Sequence, residues 1–263
     1  MTTLKTPQVT LNHKLEGAAG APVLIFSNSL GANLEMWAEQ AVHFSDRFRI
    51  LRYDQRGHGG TEVVTSAFTF DDLADDVVAL MDGLSIDKAH FVGLSMGGMT
   101  ALSLGIRHPG RFHSLTPCNC VAGFSDEARA VWNERITAVE DGGLEAVLDG
   151  TIARWFTEPM IEREPERVAA VRAMVAATPI PGYLACCRAL KTLDYAKRVG
   201  EITLPALFIA GTHDVGTPAA AMREMHASVS GSRYVELDAA HVSNLERPAE
   251  FNQALAGFLD SLT

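Results

Sequence analysis

The hexapeptide Gly-Leu-Ser-Met-Gly-Gly at positions 93–98 constrains the fold of this chain more than any other stretch. It lies between a short apolar run, residues 89–92, and a largely apolar segment that begins at Met99. A G-x-S-x-G sequence between a buried strand and a helix is typical of a nucleophile elbow, a tight turn that exposes its serine at the carboxyl end of a sheet. Gly93 and Gly97 are the small flanking residues that such a turn requires. A flexible glycine-rich turn is the alternative interpretation of these residues taken alone.

Two further residues follow the serine in the order that such an elbow needs, an acid and then a histidine. Asp214 comes just after an apolar run and before Thr217 and Pro218, which predict a helix N-cap followed by proline at the first helical position. His241 follows the next predicted strand. Taken alone, the aspartate also suits a turn and the histidine a surface position. In this order, each beyond a strand, they predict a catalytic triad with Ser95.

The predicted triad also requires donors for a negative oxygen. A serine hydroxyl is a weak nucleophile until a base takes its proton. His241 is the predicted base, and Asp214 would hold its tautomer and stabilise the imidazolium. The tetrahedral oxyanion needs preorganised N–H donors. We expect one at the Met96 backbone N–H, directly after the serine, and the other at the Leu30 N–H, in the loop after the strand predicted over residues 22–26.

Composition limits the size and the partners of this protein. A chain of 263 residues with 47% hydrophobic residues can bury a sizeable core. Its net charge of −10 disfavours nucleic acid and anionic membranes, because binding them needs a basic face. The first residues form no apolar signal region, and glycines break the uncharged stretch 89–106 before it reaches membrane-span length. We therefore expect a cytoplasmic protein without nucleic-acid or membrane partners, whose oligomeric state the sequence leaves open.

The cysteines do not indicate a metal site. They occur as C-x-C and as an adjacent pair, and neither arrangement has the spacing of a zinc site. Adjacent cysteines also rarely form a disulfide with each other. We expect packed, reduced thiols and predict neither a metal nor a cofactor. The residues concerned are Cys118, Cys120, Cys186 and Cys187.

The order of predicted elements indicates the fold. Strand-like and helix-like segments alternate over residues 8–120, beginning with a strand from Val9 that we expect at the edge of the sheet. Such alternation implies an α/β fold with a mainly parallel, eight-stranded sheet and helices on both faces. Strand signals vanish over residues 125–195, which predicts an inserted helical cap, or lid. The core domain would then comprise residues 1–124 and 196–263.

These pieces together resemble the α/β-hydrolase superfamily over nearly the whole chain. The core motifs are Asn-Ser-Leu-Gly at 28–31, where many members have His-Gly-x-Gly, Tyr-Asp-Gln-Arg-Gly-His-Gly at 53–59, Gly-Thr-His-Asp at 211–214 and Ala-Ala-His-Val-Ser-Asn at 239–244. The helical region contains Ala-Arg-Trp-Phe-Thr at 153–157, Gly182-Tyr183 and Cys186-Cys187. This helical region and the loop at 28–31, which we call the oxyanion loop, are similar to those of 3-oxoadipate enol-lactonases of the β-ketoadipate pathway. We expect Asp54 and Arg56 to be structural.

The resemblance implies hydrolysis of a small anionic enol-lactone to 3-oxoadipate through an acyl-enzyme. A carboxylate in a dry site needs a cationic partner. Arg135, Arg154 and Arg188 in the predicted cap are the candidates, which the sequence does not rank. Trp132 and Trp155 are candidate pocket walls, with packing of the core or cap as the alternative.

The same triad serves other reactions on this fold, because fold does not determine function. A general esterase, a C–C bond hydrolase and a cofactor-free perhydrolase are alternatives within the enzymes. A small-molecule receptor derived from a hydrolase is an alternative from a different class.

Overall fold

Eight strands form a single sheet in the computed structural model, which describes residues 2–262. Met1 and Thr263, at the outer ends of the predicted core segments, lie outside the described residues. The strands are β1 (Thr2–Lys5), β2 (Thr10–Glu16), β3 (Val23–Ser27), β4 (Arg49–Tyr53), β5 (Ala89–Leu94), β6 (Phe112–Cys118), β7 (Leu207–Gly211) and β8 (Arg233–Leu237). They lie side by side in the order β1-β2-β4-β3-β5-β6-β7-β8.

Eleven α-helices connect or flank these strands within residues 2–262. No single helix in this range is long and apolar enough to cross a membrane. The consecutive helices Pro165–Ala176 and Ile180–Leu190 meet the length and composition criteria only together, and they are bent by 91°. The helices are α1 (Ala38–Phe44), α2 (Phe70–Gly83), α3 (Met96–Arg107), α4 (Asp126–Gly142), α5 (Glu145–Trp155), α6 (Glu158–Arg163), α7 (Pro165–Ala176), α8 (Ile180–Leu190), α9 (Ala219–Ser228), α10 (Ser243–Glu246) and α11 (Pro248–Asp260).

The sheet is parallel from β4 to β8 and antiparallel where β2 meets β1 and β4. This confirms the predicted mainly parallel, eight-stranded sheet. The prediction that the strand near Val9 forms the edge is wrong, because β2 pairs on both sides and β1 lies outside it. The residues of β1 are mostly exposed, so this strand has no buried face that would produce a hydrophobic pattern in the sequence.

Alternate residues of the central strands enter two separate cores. In β3, Leu24 and Phe26 pack into the core that includes residues of α1 and α11. Val23 and Ile25 point to the opposite face, where residues of α2, α3 and α9 complete the other core. Successive side chains of a strand point to opposite faces, so a strand covered on both faces is apolar throughout. The predicted helices on both faces of the sheet are confirmed.

Five consecutive helices, α4 to α8, lie between β6 and β7; we call residues 126–190 the helical segment. Its two ends meet beside the core. Gly123 and Asp194 form an isolated antiparallel bridge, and the Tyr195 N–H donates to the Ala122 carbonyl at 2.6 Å. The chain therefore leaves the core and returns to it at one place, directly beyond β6.

The helical segment also contacts the core through two glycines. A Cβ on Gly182 of α8 would lie 2.4 Å from the Gly57 carbonyl oxygen, too close for any side chain.

We therefore expect Gly182→Ala to lower the free energy of unfolding by about 1–3 kcal/mol, as overpacking does. In Gly257→Ala, the matched control on α11, the new Cβ meets no described atom within 4 Å, and alanine favours a helix. Thermal unfolding of both variants tests this; a stable Gly182→Ala protein would contradict it.

Candidate functional site

Ser95 occupies a strained turn between β5 and α3. Its φ is 56° and its ψ is −112°, in a region that residues with a side chain rarely adopt. A Cβ on Gly93 would lie 2.1 Å from the Gly97 carbonyl oxygen, and one on Gly97 would lie 2.3 Å from the Ser27 carbonyl oxygen. Both positions therefore require glycine. The turn has the geometry of a nucleophile elbow and places Ser95 at the carboxyl end of β5, ahead of the α3 N-terminus.

Asp214 and His241 form a buried pair in the loops that follow β7 and β8. The His241 Nδ1 atom lies 2.7 Å from Asp214 Oδ2, a distance at which Nδ1–H donates to the carboxylate. Ser95 and His241 line the same cavity. Among the described residues the Ser95 hydroxyl makes no hydrogen bond to His241. Such bonds are often long or misaligned without substrate and tighten only in the substrate complex.

The Asp214 carboxylate is held in the ionised form. Burial alone would raise its pKa, but the attraction of His241 and hydrogen bonds from His241 and Thr217 outweigh that effect, so the Asp214 pKa lies below its ordinary value. The Gly216 and Thr217 N–H groups both donate to Oδ1 at 2.9 Å. The Thr217 hydroxyl and the Asn119 amide donate to Oδ2 at 2.5 and 3.0 Å. At neutral pH this aspartate therefore faces His241 as an anion.

Thr217 and Asn119 are site residues that the sequence interpretation missed. The prediction that Thr217 caps α9 is wrong: Pro218 is the N-cap, and the Thr217 hydroxyl bonds Asp214 instead. The hydroxyl of a threonine near the start of a helix can form a hydrogen bond either with the backbone or with another side chain. The position of Thr217, three residues after Asp214, is the sequence signal for its bond to the Asp214 carboxylate. Asn119 lies just beyond β6, and the Ser243 hydroxyl donates to its Oδ1 at 2.6 Å, which orients its amide toward Asp214.

Two backbone N–H groups near Ser95 are available to a ligand. Met96 is the first residue of α3, where an N–H has no intrahelical acceptor. In the loop after β3, the Ser29 N–H donates to the Met36 sulfur and the Gly31 N–H to His58 Nε2. Within residues 2–262, the Leu30 and Met96 N–H groups donate to no protein acceptor. These are the two donors predicted for the oxyanion.

His58 positions the loop that contains Leu30, a role that the sequence interpretation missed although the residue lies in a motif it identified. Its Nδ1–H donates to the Arg56 carbonyl at 2.9 Å, so Nε2 is free to accept the Gly31 N–H at 2.8 Å. Complete burial lowers the His58 pKa, which keeps the ring neutral and able to accept. Asp54 and Arg56 do not line the cavity; the Arg56 guanidinium pairs with buried Asp76.

A cavity with about 580 Å³ of empty space, part of it open to solvent, lies between the core and the helical segment. Neither Met96, which directly follows Ser95, nor Arg188 is among the lining residues. The predicted site residues that line the cavity are Leu30, Ser95, Trp132, Arg135, Arg154, Trp155, Asp214 and His241.

The three candidate arginines differ in their partners and in whether they line the cavity. Arg135 donates from Nε to the Tyr183 hydroxyl and from Nη2 to the Thr151 hydroxyl, both at 2.6 Å. Burial and repulsion by Arg135 lower the Arg154 pKa. In the part of the chain that the structure describes, neither guanidinium is paired with a carboxylate. Arg188 is not brought to the cavity: it is exposed and pairs with Glu140 at 2.6 Å. Arg135 and Arg154 thus form an uncompensated positive site.

The side chains that could bind a metal and the four cysteines are the groups that bear on chemistry other than that of Ser95. Within residues 2–262, no group of three or more His, Cys, Asp or Glu side chains could hold a metal ion. All four cysteines are buried and unpaired. Burial raises the pKa of Cys187 to about 12 and that of Cys118 well above its ordinary value. These thiols therefore stay protonated at neutral pH and are poor nucleophiles beside Ser95.

The fold and the site define the class of this protein. The model of the α/β-hydrolase fold family matches residues 22–248, a range that contains the elbow, the helical segment and the Asp214–His241 pair. The chain belongs to the α/β-hydrolase family.

More specific relatives come from bacteria. Two 3-oxoadipate enol-lactonases of Acinetobacter baylyi are 37% and 39% identical to this chain over 253 residues, which is 96% of this chain and 94% of each relative. The crystal structure of the enol-lactonase from Burkholderia xenovorans LB400 superimposes with a TM-score of 0.95 at 39% identity and covers 98% of this chain and 100% of that one. The resemblance predicted from the sequence is confirmed, and with it the prediction that the chain is a hydrolase.

Proposed function

We propose that this protein opens a small enol-lactone that carries a carboxylate, converting 3-oxoadipate enol-lactone to 3-oxoadipate. The observation that carries the proposal is the uncompensated guanidinium pair, Arg135 and Arg154, in the same cavity as Ser95. A cavity lined by two guanidinium groups without carboxylate partners favours an anionic ligand. The names of the Acinetobacter and Burkholderia relatives support the lactone as the reacting group.

In the proposed acylation step, Ser95 Oγ attacks the lactone carbonyl carbon while His241 Nε2 takes the hydroxyl proton. The negative charge that forms on the carbonyl oxygen accepts hydrogen bonds from the Leu30 and Met96 N–H groups. The helix dipole of α3 favours the same charge. Ionised Asp214 stabilises the imidazolium through the Nδ1 hydrogen bond.

Ring opening then breaks the bond between the carbonyl carbon and the enol oxygen. This oxygen takes the proton from His241 and leaves as an enol, whose conversion to a ketone makes the step hard to reverse. His241 next removes a proton from a water molecule that attacks the acyl carbon. The bond from this carbon to Ser95 Oγ then breaks, His241 returns the proton to Oγ, and the second carboxylate is released. The substrate carboxylate stays with the acyl group throughout, so Arg135 and Arg154 can hold it during both steps.

We also propose that the reaction belongs to the breakdown of aromatic compounds in the cytoplasm. The proposed substrate supports the first part, because the catechol and protocatechuate branches of the β-ketoadipate pathway converge on this enol-lactone. The four unpaired, buried cysteines support a reducing compartment.

The direct test is the loss of the enol-lactone absorbance in the ultraviolet, with lactone generated from cis,cis-muconate by auxiliary enzymes. Rapid, repeated turnover by the wild type is the expected result. Failure to open the lactone together with rapid cleavage of p-nitrophenyl esters would retain the hydrolase and reject the lactone. A single slow turnover that leaves a covalent adduct would instead favour the receptor alternative.

The arginines give a sharper test of the carboxylate site. We expect Arg135→Gln and Arg154→Gln each to raise KM for the lactone about 30-fold, because losing one charged partner costs about 2 kcal/mol. Arg188→Gln is the matched control, since Arg188 lies in the same helical segment but pairs with Glu140. Its KM should equal that of the wild type. An equal rise in all three variants would mean that overall charge, not the cavity pair, attracts the substrate.

A further inference from the structure

Tyr183 on α8 joins two parts of the site that are far apart in sequence. Its side chain is 1% exposed, and its hydroxyl accepts the Arg135 Nε–H at 2.6 Å. The guanidinium carbon of Arg135 also lies 5.7 Å from the centre of the Tyr183 ring. Burial raises the pKa of this phenol to about 12, so the hydroxyl stays neutral and accepts the bond without cancelling the charge of the arginine. Tyr183 therefore orients Arg135 and leaves its charge available to a ligand.

The Tyr183 ring also lies against the oxyanion loop. A Cβ on Gly31 would lie 3.4 Å from Tyr183 Cε2 and 3.2 Å from Val175 Cγ1. Gly31 has a φ of 80°, a left-handed conformation that glycine adopts readily. Its carbonyl accepts the Thr178 hydroxyl at 3.0 Å, and its N–H bonds His58. Residues of the helical segment and of the core thus jointly fix the position of Gly31.

Gly31 directly follows Leu30, whose N–H is the proposed oxyanion donor. A shift of the Tyr183 ring would change the packing of Gly31, and a small displacement of Leu30 would weaken its hydrogen bond to the oxyanion, because such bonds depend steeply on distance and angle. The same ring is tied to Arg135 through its hydroxyl. The position of the guanidinium and the position of the oxyanion donor therefore depend on one side chain.

We propose that Tyr183 is a positioning residue that couples binding of an acyl-chain carboxylate at Arg135 to alignment of the Leu30 N–H. The substrate carboxylate then accelerates the chemical step as well as improving binding. The enzyme should therefore have a higher kcat for esters that carry a carboxylate than for neutral esters of the same length. This inference rests on the carboxylate site of the proposed function. It does not rest on the identity of the lactone.

Two esters separate this proposal from the choice of substrate. Mono-p-nitrophenyl adipate and p-nitrophenyl hexanoate have acyl chains of equal length and differ in the terminal carboxylate. In Tyr183→Phe the ring and its packing on Gly31 remain, and only the bond to Arg135 is lost. We expect kcat for the adipate ester to fall about 10-fold, as for loss of a hydrogen bond to a charged group, and kcat for the hexanoate ester to change less than about 2-fold.

A double variant distinguishes coupling from a merely structural role. If Tyr183 acts through Arg135, adding Tyr183→Phe to Arg135→Gln should cause no further loss of kcat on the adipate ester. Tyr195→Phe is the matched control: Tyr195 is also buried with its hydroxyl on a charged partner, Asp71, but it does not line the cavity. Its kcat should be that of the wild type on both esters, with thermal unfolding reporting the intact fold of each variant.

Three results in the variants would overturn the proposal. These are an equal loss of kcat on both esters in Tyr183→Phe, no loss on either, and a full further loss in the Arg135→Gln background. A wild-type enzyme that does not prefer the adipate ester would overturn it together with the carboxylate site. A wild type that prefers the adipate ester, shows the expected Tyr183→Phe loss and leaves the enol-lactone intact would support the coupling and reject only the proposed substrate.

Discussion

Ser95→Ala should lower kcat about a millionfold on the enol-lactone and on p-nitrophenyl hexanoate, the loss typical of removing a serine nucleophile. Without Oγ no acyl-enzyme forms, and the cavity retains only its oxyanion donors and its binding contacts. Alanine has the same backbone constraints as serine at a φ of 56°, so the elbow should persist. Steady-state hydrolysis measures the rate, and the initial burst of p-nitrophenol reports the acyl-enzyme. The wild type should show the burst and the variant should not.

The matched control is Ser103→Ala on the same helix. Ser103 is buried, its hydroxyl donates to Asp71 at 2.8 Å, and it does not line the cavity. This variant should lose some thermal stability and keep its kcat. A burst retained in Ser95→Ala would contradict the serine-nucleophile mechanism, because the acyl-enzyme would then form on another residue. Steady-state hydrolysis retained at the wild-type rate without a burst would favour His241 as a base for direct attack by water.

Asp214→Asn should lower kcat about 10⁴-fold, because the histidine then adopts the wrong tautomer. The hydrogen bonds around Asp214 indicate which way the side-chain amide of the asparagine would point. Two N–H groups, from Gly216 and Thr217, donate to Oδ1, so the amide oxygen must occupy that position. The NH₂ group then takes the place of Oδ2 and faces His241 Nδ1, which must accept instead of donate. The imidazole proton moves to Nε2, and His241 no longer accepts the proton of Ser95.

Asp238→Asn provides a matched control for this prediction. Asp238 also pairs with a histidine, His213, at 2.7 Å, but both side chains are exposed and neither lines the cavity. Its kcat should be unchanged. Kinetics of both variants on p-nitrophenyl hexanoate check the prediction, and a loss below about 10-fold in Asp214→Asn would mean that Asp214 does not set the tautomer.

The sequence predicted the features that depend on local patterns. Apolar strand-like runs that alternate with helical segments identified the parallel sheet, and the glycines around Ser95 identified the turn between β5 and α3. The edge strand β1 escaped prediction because its mostly exposed side chains leave no periodic pattern. Thr217 was assigned to a helix cap because local propensity does not show that a buried carboxylate competes for its hydroxyl.

The elbow serine, the order of the acid and the histidine, and the class of fold were therefore determined by the sequence itself, since a tight turn and the strand periodicity each arise within a few residues. Tertiary structure decided which arginines face the cavity. Arg135 is oriented by Thr151 and Tyr183, which lie on two other helices, whereas Arg188 turns outward to Glu140. The direction of a long, flexible side chain depends on partners that only packing brings together, and no local pattern encodes them.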